Sequence, residues 1–578
     1  MTLADADAAT ERQTKKGHEL LANTFLRAST KAVFFVPTFL YPTLVELAES
    51  DCKRVLAHSE KAAAYMADGY AQASGSPGIV ITQGGPGATN VAAGLADAWE
   101  SNTPVICLTP VIPDIRYHGN SYQEAYVDFG KVTKYDAEVR MLHRLPEFLG
   151  KAYREATTGA PRPVHLYIEG ALEAQEFAFD ESFIDERFFK YPAYRPQAPA
   201  EDIASVVAEI KAAERPVIVA GRGAIVSGAW DEVTRFAECF NVAVTTSLGG
   251  KGSIDERHSH SFGVEGSYRR SAANDVIDDG DLVIFIGSHV GGATTLLQQT
   301  PAMGTRLIQI DIDPAQGGRN YPNTFSLIGD ARTVVAQLTD AADGGRSDNN
   351  GWIDACRKRI DDWWAAENDN VTSDASPIRP ERLGVELAKA VPDDTLFVVD
   401  TGYAAAWSGA FMDLPAGKNY LSCEGSLGWA FSAAIGAKAA VPDRPVVAWC
   451  GDGGFWPHIG EIETAVRNEI NSVTVVANNN ALVFDTHLLQ AFWSASHDVD
   501  LLSEFKHVNL ANVATEMGAF GIRVEDPKDI PDAMEQAFAA NKPAVVEVMI
   551  DHAAVAPVAF MAGQGSRGGM LTEPEKMK

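Results

Sequence analysis

Short runs that are apolar throughout alternate with longer stretches of helical period along nearly the whole chain. Between about residues 18 and 185, AVFFV, KRVLAH, GIVITQ and PVICLTP are separated by LYPTLVELAES, EKAAAYMADGYAQAS and ATNVAAGLADAWES. Continuously apolar strands suit a sheet buried on both faces, and the helices between them make it parallel and cover it. The alternation restarts at RPVIVAGRGA, VAVTTS, DLVIFIGSH and RLIQIDIDP. It restarts once more through TLFVVDTG, GWAFSAAIGAKAA, RPVVAWCGDGG, IGEIETAVRNE, SVTVVANNN, FGIRVE and PAVVEVMID. The pattern predicts an α/β chain of three doubly wound parallel-sheet domains in tandem, at 18–185, 198–340 and 375–552. Pro-rich KYPAYRPQAPAED and polar TDAADGGRSDNNG read as the linkers between them. Residues 1–17 read as a flexible tail, and the Gly-rich segment 553–578 as a second tail able to serve as a lid. No short-period repeat is present, which excludes a solenoid.

Composition narrows the class. At 578 residues the chain exceeds what one hydrophobic core serves, in keeping with several domains. No apolar run approaches the roughly 20 residues that span a bilayer, and the N-terminus lacks an apolar signal segment, so a cytoplasmic protein with no membrane partner is expected. The six cysteines are scattered without a C-x-x-C, against both a disulfide framework and a zinc site. A formal charge of −29 repels a phosphate backbone and argues against nucleic acid as a partner.

The sharpest local signal is Gly451-Asp452-Gly453-Gly454 at the end of an apolar strand, followed by a helix and a second strand ending in Asn478-Asn479-Asn480. In a parallel sheet both strand ends lie at the carboxyl edge, where open α/β folds bind ligands. One carboxylate, one amide oxygen and a nearby main-chain carbonyl suit Mg²⁺, which takes its remaining ligands from water and phosphates. Gly453 and Gly454 would let backbone N–H groups approach a diphosphate. Taken alone, a GDG is an ordinary strand-to-helix turn.

Together with the later asparagines, this segment resembles the GDG…NN motif of thiamine-diphosphate-dependent enzymes. Gln83-Gly84-Gly85-Pro86-Gly87-Ala88-Thr89-Asn90 and Tyr122-Gln123-Glu124 are similar to turns of the acetolactate synthase group. The resemblance runs from about residue 18 to 552, with the motifs in family order, and implies pyrimidine-binding, central Rossmann-like and diphosphate-binding domains. It implies Asp452, Asn479 and the Ala481 carbonyl as Mg²⁺ ligands, and Glu60 as the carboxyl group that activates the cofactor through its pyrimidine ring nitrogen. By itself Glu60 also reads as a helix-start glutamate favoured by the dipole. The family match further places Gly87, Gly402, Tyr403, Gly453 and Gly454 on the cofactor and Gln123 in the active site. It makes Leu427, in Gly425-Ser426-Leu427-Gly428-Trp429, the apolar wedge between the cofactor rings and gives the Gly425 carbonyl to its amino group; the other reading of Leu427 is plain core.

Two segments depart from the family. Its Pro-Gly-Gly turn is replaced by Phe35-Val36-Pro37-Thr38-Phe39-Leu40, so bulk at Phe39 is expected to reshape the pocket. Its Gly-Met after the asparagines becomes Ala481-Leu482-Val483-Phe484-Asp485-Thr486-His487, which puts ionisable Asp485 and His487 where substrate is expected. For His487 a structural role at a helix start and a catalytic role are both open. Gly221-Arg222-Gly223-Ala224 and Asp311-Ile312-Asp313-Pro314 resemble the part that binds FAD in acetolactate synthases and an ADP moiety in CoA-using relatives, while Gly287–Gly292 lacks the Arg-rich form of the flavin binders. The resemblance therefore implies a lyase, carboligase or decarboxylase acting on a 2-oxo acid, acyloin or related carbonyl through a C2 ylide and an enamine, in a homodimer or homotetramer with active sites between subunits. A 2-hydroxyacyl-CoA lyase or oxalyl-CoA decarboxylase type, and a silent cofactor-binding homologue, are the alternatives.

Overall fold

The computed structural model describes residues 14–37, 39–111, 127–170, 174–322, 324–345, 351–492 and 500–558. The chain divides into two compact units between Ala193 and Tyr194, inside the Pro-rich linker. The first unit holds one six-stranded parallel sheet and the second holds two, giving the three expected α/β layers.

In the first unit the strands run in the spatial order Lys53–Leu56, Ala32–Phe35, Gly78–Ile81, Val105–Pro110, Val164–Ile168 and Tyr135–Val139. Thr14–Lys16, expected within a flexible tail, instead forms a short strand antiparallel to Glu176–Ala178. Helices Glu60–Ser74 and Pro86–Glu100 pack closely against each other. A Cβ on Gly94 would lie 2.4 Å from that of Ala64, so the absent side chain is what permits the approach.

The second unit begins with a sheet ordered Ser261–Val264, Ala243–Thr246, Pro216–Ala220, Leu282–Ile286, Arg306–Asp311 and Thr324–Ile328. Its last sheet runs Tyr420–Ser422, Leu396–Val399, Val446–Gly451, Val473–Asn478, Ala544–Met549 and Phe520–Val524. By chain rank this is second, first, third, fourth, sixth, fifth, the same order as in the first unit. Such an order reverses direction between its first and third strands, and the crevice beyond their carboxyl ends is where doubly wound sheets take ligands. Among the described residues no helix is long and apolar enough to cross a membrane.

Candidate active site

The crevice of the last sheet opens into a cavity of about 260 Å³. Asp400–Tyr403 from the end of the first strand, Gly451–Gly454 from the third, and Asn479 with Ala481–Asp485 from the fourth line it, joined by Leu427 and by Tyr268 of the neighbouring sheet. No Lys or Arg is among these residues, whereas Asp400, Asp452 and Asp485 are. An anion enters such a cavity only with a cation, or against backbone N–H groups.

Asp452 is the carboxylate whose surroundings suit a cation. Its side chain is 2 % exposed, and its Oδ2 has no hydrogen-bond partner among the described residues. Burial pushes its acid up to about 7, although backbone N–H groups of Asn479, Gly453 and Ala481 oppose the shift. Those N–H groups also show that the two motif segments meet at one carboxylate. A buried, half-satisfied carboxylate beside an amide side chain and a main-chain carbonyl is a donor set of the kind Mg²⁺ accepts. The supporting loop is braced: Leu482 N donates to the Ser503 carbonyl (2.8 Å), Phe505 N to that of Asn480 (2.6 Å). Of the three asparagines only Asn479 faces the cavity. Asn478 is buried and donates to Glu547 Oε1 at 2.7 Å, and Asn480 adopts a left-handed φ of 57° that turns the chain.

Sequence reasoning missed Asp400. This buried carboxylate accepts from the backbone N–H of Thr401 (2.8 Å) and of Gly428 (3.1 Å to each oxygen). It thereby holds the turn in which Gly425 and Gly428 take φ of 135° and 88° and presents Leu427, 41 % exposed, to the cavity. An apolar side chain left this open at a cavity wall fits a group that packs on a ligand better than plain core. Asp400 also explains Gly454, where a Cβ would lie 2.9 Å from the Asp400 carboxylate; one on Gly453 would strike Leu482 at 2.4 Å. Gly402, with φ 68°, starts helix Tyr403–Phe411, whose first N–H groups have no acceptor within the helix and belong to residues that line the cavity.

Asp485 lines the cavity, has no hydrogen-bond partner among the described residues, and has its acid raised by burial. His487 is placed differently. It is buried, lies outside the cavity lining, and its Nδ1 is 2.8 Å from the Tyr403 hydroxyl. Burial first, and the nearby His552 second, lower its basicity. The expected pair therefore separates into one free carboxyl group at the wall and one imidazole behind Tyr403.

In the first unit, Ser59 caps helix Glu60–Ser74 by accepting from Ala62 N, which sets Glu60 as the first helical residue. Its Oε2 accepts from Asn90 Nδ2 at 3.0 Å, and its Oε1 would be 3.2 Å from a Cβ on Gly87. Glu60, Gly87 and Asn90 thus meet at the start of helix Pro86–Glu100, where the dipole favours a carboxylate. Asn90 stood in the quoted turn without an assigned role. Phe39 is 5 % exposed and packs into the core of this unit beside Leu40 and Leu44. Gln123 lies outside the described residues, as do 559–578 of the C-terminal tail. In the Rossmann-ordered sheet the Gly221 and Gly223 amides donate to the Ile286 and Gly287 carbonyls (2.8 and 2.9 Å), and Arg222 reaches the Ser422 carbonyl at 2.5 Å. These groups hold backbone to backbone and sheet to sheet.

Residues 15–130 match the family model of the thiamine pyrophosphate enzyme N-terminal TPP binding domain, 203–338 that of the central domain, and 400–548 that of the C-terminal TPP binding domain. The chain is similar to a probable acetolactate synthase large subunit of Methanocaldococcus jannaschii, 29% identical over 580 residues that cover 97% of this chain and 96% of that one. A probable acetolactate synthase large subunit of Methanococcus aeolicus is 30% identical over 537 residues, with 89% and 88% covered. The glyoxylate carboligase of Escherichia coli O157:H7 is 28% identical over 527 residues, 86% of each chain.

Proposed function

As this chain belongs to the thiamine pyrophosphate enzymes and is acetolactate-synthase-like, we propose that it is a carboligase or decarboxylase acting on a 2-oxo acid with thiamine diphosphate and Mg²⁺. The observation that carries the reading is one cavity that joins the half-satisfied Asp452 carboxylate, Asn479 and Ala481 to the Asp485 carboxyl group. When bound, thiamine diphosphate supplies a nucleophilic carbon for a carbonyl and an electron sink for the bond beside it. Asp452, Asn479 and the Ala481 carbonyl would hold the metal. The amides at Gly402–Tyr403 and Gly453–Gly454 would take the phosphates, and Leu427 and the Gly425 carbonyl the cofactor's rings and amino group. Glu60, oriented by Asn90, would hold a proton at the pyrimidine nitrogen.

Asp485 would exchange a proton with substrate, because it lines the cavity and partial desolvation raises its acid above the ordinary aspartate value. His487 acts through Tyr403. Asp485→Ala is expected to lower turnover by about 10²-fold, toward the lower end of general acid–base effects, or to change the product, while cofactor affinity stays at the parent value. Steady-state rates, product identification and calorimetric titration check this; normal turnover with an unchanged product would remove Asp485 from the chemistry.

The reading as a whole is tested by supplying pyruvate, glyoxylate and longer 2-oxo acids, singly and in pairs, with cofactor and Mg²⁺. CO₂ release or a new carbon–carbon bond, dependent on both additions, is expected. No turnover and no cofactor binding would sink it. The protein is expected to run as a homodimer or homotetramer in light scattering.

A further inference from the structure

The cavity wall includes one residue from outside its own sheet, Tyr268. It belongs to a strap, residues 265–270, that follows edge strand Ser261–Val264 of the Rossmann-ordered sheet. The strap is fastened onto helix Tyr403–Phe411, whose first turn faces the cavity. Arg270, 2 % exposed, donates from Nε to the Ala410 carbonyl at 2.7 Å and from its other end to Asp413. Its guanidinium also sits 4.8 Å from the Trp364 ring centroid. Gly409 admits the strap, since a Cβ there would come within 3.1 Å of the Tyr268 carbonyl. A fully buried arginine is costly unless fully engaged, so this attachment is a specific one. At its centre the Tyr268 phenol lies beside the Thr401 side chain, immediately before Gly402 and the helix start.

Among the described residues the cavity lining offers an anion no lysine or arginine. The remaining donors near the helix start are its backbone amides and the hydroxyls of Thr401, Tyr403 and Tyr268, and the Tyr403 hydroxyl is engaged by His487. We propose that Tyr268 is a further cofactor-site residue, its phenol O–H donating to the terminal phosphate of the bound diphosphate beside Thr401. This rests on the cofactor reading above. It makes the central sheet part of the site through one side chain, so the middle domain does more than join the other two.

The test is calorimetric titration of the Mg²⁺-loaded protein with thiamine diphosphate and with thiamine monophosphate, which lacks the terminal phosphate. Tyr268→Phe keeps the ring and removes the donor. Loss of a hydrogen bond to a charged acceptor is expected to weaken the diphosphate by about 10- to 100-fold and to leave the monophosphate at its parent affinity. Parent-like binding of the diphosphate by Tyr268→Phe would overturn the proposal. Equal weakening of both ligands would also overturn it, because that pattern belongs to a packing role for the ring. A parent protein that binds neither ligand would reject the cofactor reading itself, and this inference with it.

Discussion

Replacing Asp452 with alanine is expected to abolish Mg²⁺-dependent binding of thiamine diphosphate and, with it, activity. The cavity lining carries three aspartates and no basic side chain, so a diphosphate without its metal meets net repulsion there. The Asp400 carboxylate is taken up by the N–H groups of Thr401 and Gly428, and of the other two only Asp452 stands against the Asn479–Ala481 segment that supplies the further metal donors. Even groups that only orient a metal ligand typically change affinity by about 10- to 100-fold, and loss of the ligand itself is expected to exceed that range. In the parent, cofactor at a hundred times its Kd should stabilise the fold by about 2.7 kcal/mol, read as a rise in Tm. Asp452→Ala should show no rise, and chelation of Mg²⁺ should erase the parent's. A variant that still shows the full shift would place the metal elsewhere.

Glu60→Gln is expected to separate binding from activation. The amide can still accept from Asn90 Nδ2, so the local packing against Gly87 and the affinity for the cofactor should persist. What glutamine cannot do is share a proton with the ring nitrogen of the pyrimidine. Proton exchange at the thiazolium C2 of the bound cofactor should slow by about 10²- to 10⁴-fold, the scale of positioned acid–base groups. Exchange followed by quenched-flow NMR measures this directly and needs no substrate. Equal rates in variant and parent would take Glu60 out of the mechanism.

The architecture was legible because its signals are local. A strand such as Val446–Gly451, buried on both faces, has to be apolar at every position until its last residues, and the motif that follows must be small to let backbone approach. Strands that escaped notice lack those features: Tyr135–Val139 is an edge strand with alternating exposure, and Tyr420–Ser422 is three residues long. The pairing of Asp452 with Asn479 was likewise readable, since neighbouring parallel strands bring their carboxyl ends together whatever the details of packing.

Tertiary structure alone decided which side chains near these motifs reach the cavity. Asp485 and His487 stand two residues apart on one helix, and helical geometry sends them in different directions, one to the wall and the other behind Tyr403. Nothing in the sequence around Asp400 marks it as the carboxylate that shapes the Leu427 turn, because its partners are backbone amides that any residue supplies. Phe39 lies in the core of its unit, among apolar residues that the sequence does not mark as its neighbours. Tyr268 is the clearest case. It is separated from Thr401 by half a sheet and a long helix in the chain, and it reaches the cavity because Arg270 and Gly409 fasten its strap to the cavity-facing helix. Periodicity and motif spacing record contacts within an element or between neighbouring strands. Contacts between separately built sheets depend on how their surfaces fit, and that fit exists only in the folded chain.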